Sequence, residues 1–136
     1  MKIEIRTIVY DESLRIEACR FEGIVQPFPN HFHEHFAIGF AENGERCLSC
    51  RNIDYTIGQG SVILFNPGDN HACVQSDDGT LDYRGFNISK EIMLDLAEEV
   101  TGKRELPGFS ENVMSSLIQN YSQPFESCIP QCRQEI

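Results

Sequence analysis

From Lys2 to Ile88 apolar and polar residues alternate in short runs separated by turn residues. "KIEIRTIVY" has a clean period of two, and "LRIEACRF" follows as a second β-like segment. "GIVQPFPN" reads as a proline-bearing loop, and residues 31–41 as the next strand. Asn43-Gly44 then predicts a hairpin, because a type I′ turn needs positive φ at both central residues. "RCLSCRNIDYTI" is the returning strand, with a break near Asn52. "SVILF", "HACVQ" and "LDYRGFNI" complete the series, separated by "NPGDN" and "SDDGT". Short strands at turn spacings of about 8–12 residues predict a sandwich or small barrel.

The pattern changes at Ser89. "SKEIMLDLAEEVTGK" predicts a helix with Ser89 as N-cap, Glu91 in an acidic first turn and Gly102 as its stop. Ile92, Leu94 and Leu96 lie on its partly apolar face. "SENVMSSLIQNY" predicts a second helix capped by Ser110, with Val113, Met114, Leu117, Ile118 and Tyr121 at helical spacing.

At 136 residues the chain is long enough for one domain with a real core. Its net charge of -10, with no Lys/Arg cluster, repels a phosphate backbone, so the chain is not expected to bind DNA by itself. No stretch approaches the roughly 20 apolar residues of a spanning helix, and no signal-like segment opens the chain. A cytoplasmic location without membrane partners is expected. Cys47-x-x-Cys50 resembles half a zinc site, but residues three apart on a strand face opposite sides. The six cysteines are therefore expected to be reduced, small and mostly buried.

All four histidines fall in two patches, His31, His33 and His35 in "NHFHEHFAIG" and His71 in "GSVILFNPGDNHACVQ". On one strand the first three share a face, and a Pro/Gly/Asp turn delivers the fourth. Ala37, Gly39 and Ala41 continue that face, leaving room for a ligand or for a large side chain from another strand. Phe32, Phe36, Ile38 and Phe40 would then pack against a second layer, and the inverted register stays open. On the last strand Tyr83, Arg84 and Asn87 are further candidates, Arg84 either meeting an acidic effector or standing on a solvated face.

"GSVILFNPGDNH" resembles the second motif of the cupin β-barrels, with Gly60, Gly68 and His71 in place and Asn66 where proline is frequent. "HFHEHFAIGFAENG" resembles the first, with His31 and His33 as its H-x-H pair. The sensor domains of AraC-type transcription regulators carry the same two patches, and the likeness covers roughly residues 20 to 122. It implies a mainly β fold, a cupin-like double-stranded β-helix (a jelly-roll barrel) followed by C-terminal α-helices. Residues 1–88 would form an effector-binding barrel and residues 89–136 a helical segment pairing two copies in a homodimer. DNA would be met only through a helix-turn-helix domain that this chain lacks. The chain departs from metal-binding cupins at two positions, Ala37 where a Glu ligand stands and Gln75 where an Asn often follows the last His.

Three readings of the histidines stay open. His31, His33 and His71 could hold a divalent metal (Zn, Ni or Fe), with water or His35 completing the set. A metal-free cluster could instead hydrogen-bond a polar effector such as a sugar, an organic acid or an aromatic compound. They could also be ordinary structural histidines. As an effector site, the expected lining is His31, His33, His35, Ala37, Gly39, His71 and Tyr83. No nucleophile–base pair stands out, so the leading expectation is a non-enzymatic sensor controlling DNA binding allosterically. The rivals are a small metal-dependent cupin enzyme (a dioxygenase or isomerase) and a stand-alone sugar- or small-molecule-binding cupin.

Overall fold

A computed structural model describes residues 3–76 and 78–114. Ten strands and one helix follow in the order β1 (Ile5–Asp11), β2 (Ile16–Ile24), β3 (Phe28–His31), β4 (Phe36–Asn43), β5 (Arg46–Cys50), β6 (Ile53–Ile57), β7 (Val62–Phe65), β8 (His71–Gln75), β9 (Leu81–Ile88), α1 (Lys90–Thr101) and β10 (Val113–Met114). All pairings are antiparallel, and they form two sheets. The six-stranded sheet runs β1-β2-β9-β4-β7-β10 and the four-stranded sheet β3-β8-β5-β6. Their facing sides enclose a core of Ala37, Leu48, Cys50, Ile57, Ile63, Phe65 and Cys73. The mainly β jelly roll expected from the motifs is therefore present.

Three local expectations are corrected. The proline-bearing loop contains β3, whose Pro29 falls on a short strand at the edge of its sheet, where a missing N–H is tolerated. Residues 31–41 are not one strand: His31 ends β3, and β4 begins only at Phe36. Asn43-Gly44 does not close a hairpin either. It carries the chain from one sheet to the other, since β4 pairs with β7 and β9 while β5 pairs with β6 and β8. Gly44 (φ 100°) is needed there because a Cβ would collide with the Thr80 carbonyl oxygen.

The true two-residue hairpin is Arg51-Asn52, with φ of 49° and 65°, closed by the Cys50–Ile53 pair. An arginine at positive φ is uncommon, and here its side chain is held. Nε donates to Asn112 Oδ1 at 3.1 Å and Nη2 to the Ser110 carbonyl at 3.2 Å.

Ser89 caps α1 through its Oγ, which accepts from Ile92 N, and Gly102 (φ 80°) ends it. Ile92 and Met93 pack on Phe36 and Ile88 on the outside of the larger sheet. Leu96 and Val100 stay exposed, so the buried face of α1 is rotated from the one expected. The second layer over the opposite face of β4 is also only partial. Phe36 is buried and Ile38 half-buried beside α1, whereas Phe32, Phe40 and Phe86 are exposed.

Where a second helix was expected over 110–121, residues 113–114 form an edge strand against Ile63 and Val62 of β7; the remainder lies outside the described residues. One carboxylate explains this. Asp69 Oδ2 accepts from Asn66 N, Asn66 Nδ2 and Asn112 Nδ2, each at 2.9 Å. Asn112 Nδ2 also donates to the Leu64 carbonyl, and Asn66 exchanges hydrogen bonds with the Phe109 backbone. Asn112, fully buried, thus ties the segment after α1 to the turn before β8, and an extended backbone is the result.

Two outcomes are expected from chemical denaturation. Gly39→Val should cost about 1–3 kcal/mol, because its side chain would enter the space held by Tyr83 and the Arg84 carbonyl oxygen. Asp69→Ala should cost about 1–3 kcal/mol by leaving buried amides unsatisfied, and a double-mutant cycle with Asn112→Ala should give clear non-additivity. Additive effects would mean that the Asp69–Asn112 bond contributes nothing.

Candidate functional site

The end of β3 and the start of β8 are neighbours, with His31 opposite His71 in the register. His33 follows β3 in the connection to β4 and folds back over both. The ring centroids lie 4.3 Å (His31–His71), 4.8 Å (His31–His33) and 5.3 Å (His33–His71) apart. One ligand nitrogen from each comes within 4.8 Å of the others.

Second partners orient these rings. His71 Nδ1 donates to the Asp69 carbonyl at 2.9 Å and His31 Nδ1 to the Pro29 carbonyl at 2.6 Å. Each imidazole that spends its Nδ1 proton on a carbonyl keeps an Nε2 lone pair, the arrangement found around metal-bound histidines. His71 also stacks on Phe65, centroids 3.8 Å apart and planes 11° from parallel.

Burial lowers the His71 pKa to about 4 against the opposing pull of its carbonyl bond, with His31 and His33 adding to the fall. His33 is lowered by burial first and then by His35 and His31. Both rings are therefore neutral at neutral pH, the form that binds a metal or accepts a hydrogen bond. Burial pushes the Cys50 and Cys73 thiols up to about 11, so neither supplies a thiolate. The donor set thus suits a borderline divalent ion held by imidazole. A tetrahedral ion about 2.1 Å from each nitrogen needs them about 3.4 Å apart, a modest closure of the rings.

The three imidazoles stand at one end of a cavity of about 280 Å³ between the sheets. Ala37, buried at 6% exposure, lies on its wall where the Glu ligand of a metal cupin would project. His35 lines the cavity too, but it stands outside the three-nitrogen group, stacked on His33 with its Nδ1 turned to the Phe36 carbonyl.

Gly39 does not reach the cavity, because the Tyr83 ring lies across its inner side. Gly39 and Gly85 face each other across β4 and β9, and this pair of missing Cβ atoms seats the Tyr83 hydroxyl. The room left by the small residues of β4 is thus partly filled by a large side chain from another strand. Burial holds the Tyr83 phenol well above its usual pKa, so it stays a neutral hydroxyl.

Arg84 points elsewhere and pairs with Glu42 at 3.0 Å, while Asn87 lines the cavity and donates to Glu17 at 2.7 Å. Cys47 and Cys50 are both buried but belong to different clusters on opposite faces of β5, as strand geometry predicts.

Sequence reasoning missed the other end of the cavity. Arg6 of β1 lines it, its guanidinium 5.6 Å from the Phe21 ring and 6.0 Å from the Phe28 ring. Behind Phe28 lies Arg46, fully buried, donating to the Ile24 and Gln26 carbonyls. The alternation of "KIEIRTIVY" places Glu4 and Arg6 on one face, but nothing in it distinguishes a cavity from solvent.

Residues 16–133 match the family described as the AraC-like ligand-binding domain. The Bacillus subtilis protein named "Uncharacterized HTH-type transcriptional regulator YbfI" is 49% identical over 114 residues, which are 84% of this chain and 42% of that protein. The chain thus spans less than half the length of this relative. A cupin superfamily protein from Desulfitobacterium hafniense superposes with a TM-score of 0.54 at 9% identity, covering 64% of this chain and 78% of its own. A predicted oxalate decarboxylase from Thermotoga maritima does so at 0.51 and 15%, covering 62% and 78%. These two likenesses concern the fold alone, whereas the family match spans both histidine patches: the chain belongs to the AraC-like ligand-binding domain family and has a cupin fold.

Proposed function

We propose that this barrel is the effector-sensing part of a cytoplasmic transcription regulator whose DNA-binding helix-turn-helix domain lies outside the chain. The observation that carries this reading is the cavity between the sheets, apolar along its walls and furnished with convergent imidazoles at one end. The family match and the regulator relative support it. A ligand that favours one arrangement of the linked DNA-binding domains would shift their equilibrium by its differential affinity for the two states. Residues 89–136 are the proposed dimerisation segment; the exposed Leu96 and Val100 on α1 are consistent with a partner covering that helix.

His31, His33 and His71 would hold a divalent metal, with His35 supporting His33 by stacking. Such an ion would supply a Lewis-acidic centre at the imidazole end of the cavity. The chain's own residues do the rest: the Pro29 and Asp69 carbonyls orient the rings, and Ala37 leaves the cavity side open. A metal-dependent enzyme is the second reading, favoured by the same three convergent imidazoles, of which burial keeps His33 and His71 neutral.

Zinc titrated into the metal-free domain is expected to bind at one equivalent, and elemental analysis of the purified, tag-free protein to give near-stoichiometric metal. His71→Ala and His33→Ala should each weaken zinc binding at least about tenfold while leaving the far-UV spectrum and cooperative unfolding intact. Stoichiometric zinc unchanged in both variants would remove the site from these histidines. A metal-free protein that ignores added zinc would leave the imidazoles facing an organic ligand directly.

A further inference from the structure

The polar groups of the cavity divide between its two ends, and the strand register shows how far apart they lie. Ala37, Asn87, His31 and His71 mark one end. Arg6, Phe21, Tyr83 and Ala41 lie abreast in one row across β1, β2, β9 and β4 at the other. Four residues of strand separate Tyr83 from Asn87, and Ala37 from Ala41, which is about 13 Å. The walls between are apolar: Leu48, Ile57, Ile63 and Phe65 among them.

The charges behind these ends are opposite in sign. Near the imidazoles the buried charge is the Asp69 carboxylate, 7% exposed, whose own carbonyl holds His71. At the far end stand Arg6 and Arg46. The carboxylate nearest Arg6 is Glu4, in a loose contact at 3.5 Å. Arg46 is 0% exposed; two backbone carbonyls hold its terminal nitrogens, the Cys73 thiol lies against its guanidinium, and its Nε–H has no hydrogen-bond partner among the described residues. No ion pair among the described residues includes it. A guanidinium cut off from water is costly unless negative charge compensates it. Phe28, with the Arg46 guanidinium 5.7 Å from its ring, and Cys73 both line the cavity and neighbour Arg46. A field across so thin an apolar layer is little screened.

Resting on the reading of the barrel as a ligand site, we infer that its ligand is a small carboxylic acid with an apolar body, its carboxylate lodged at the Arg6 end. Arg6 offers the planar fork that matches a carboxylate, and Arg46 supplies a second, buried positive charge behind it. The body lies between Phe21, Phe28, Tyr83 and Leu48, toward the imidazoles. A sugar fits poorly, because most of its hydroxyls would face apolar walls without partners. At about 280 Å³ the cavity suits a branched aliphatic chain or a single ring.

Isothermal titration calorimetry at low salt tests this with two matched pairs, 3-phenylpropionate and 4-methylpentanoate, each beside its primary amide. Each acid is expected to bind at least about tenfold tighter than its amide, and Arg6→Gln to remove that preference while leaving amide affinity unchanged. Arg6 is half-exposed, so this variant should fold. Amides binding as tightly as acids would overturn the anionic assignment and leave the barrel a ligand site. A preference that survives Arg6→Gln but is lost in His71→Ala would put the carboxylate on the histidine end and overturn the proposal. If neither acids nor amides bind at millimolar concentration, the carboxylic-acid assignment is overturned, while the zinc titration tests the ligand-site reading separately.

Discussion

Asp69 is a short acidic side chain in a turn, and it is where the turn before β8 and the segment after α1 meet. Its carboxylate takes hydrogen bonds from Asn66 beside it and from Asn112 beyond the helix, and its carbonyl takes the Nδ1 proton of His71. A buried carboxylate without such donors would be expensive, so its position compels the neighbouring amides to converge on it. That convergence fixes the turn before β8, and with it the orientation of an imidazole at the cavity. Asn112 passes the constraint on through its Oδ1 to Arg51, which keeps the unusual hairpin of the smaller sheet in place. Both sheets and the segment after α1 are registered against one another through these few polar groups.

Much of this was legible in the sequence, and the illegible part has identifiable causes. Strand composition, turn residues and Ser89 carry local information, and the β-rich order and the capped helix follow from them. The two histidine patches could be paired through their motif spacing, and the structure brings His31, His33 and His71 within reach of one another. Their arrangement on a single strand was not legible. The period-two argument gives them a common face, yet β3 stops at His31 and the chain bends before Phe36. His33 reaches the group through that bend. Asn43-Gly44 misled for a related reason: the same positive-φ preference serves a tight hairpin and a crossing between sheets. Which of the two occurs depends on the partners of β4 and β5, which lie far away in sequence.

The small residues on β4 show a second limit. Ala37, Gly39 and Ala41 announce missing volume, but a list of small side chains does not say what fills it. Tyr83 enters the space above Gly39, because Gly85 opposite leaves room for its hydroxyl, while the space beside Ala37 stays open. The Arg end escaped notice because a charged residue on an alternating edge strand normally faces water. Arg6 instead leans across Phe21 and Phe28, where its planar cation finds aromatic faces.

The passage of the chain between sheets at Gly44 also governs how the barrel can be assembled in time. Of consecutive strands among the described residues, only β1 with β2 and β5 with β6 are neighbours. Every other pairing joins distant stretches, such as Cys19 with Gly85 or Phe36 with Ile88. Each must close a long loop before its contacts reward it, which places such a topology among the slower-folding small domains. During synthesis β2 and β4 leave the ribosome well before β9, the strand that will lie between them. Until that strand emerges their edges stand open, and an unpaired edge is a template for another chain. The cavity is therefore a late product of folding, absent from any intermediate that lacks residues 81–88.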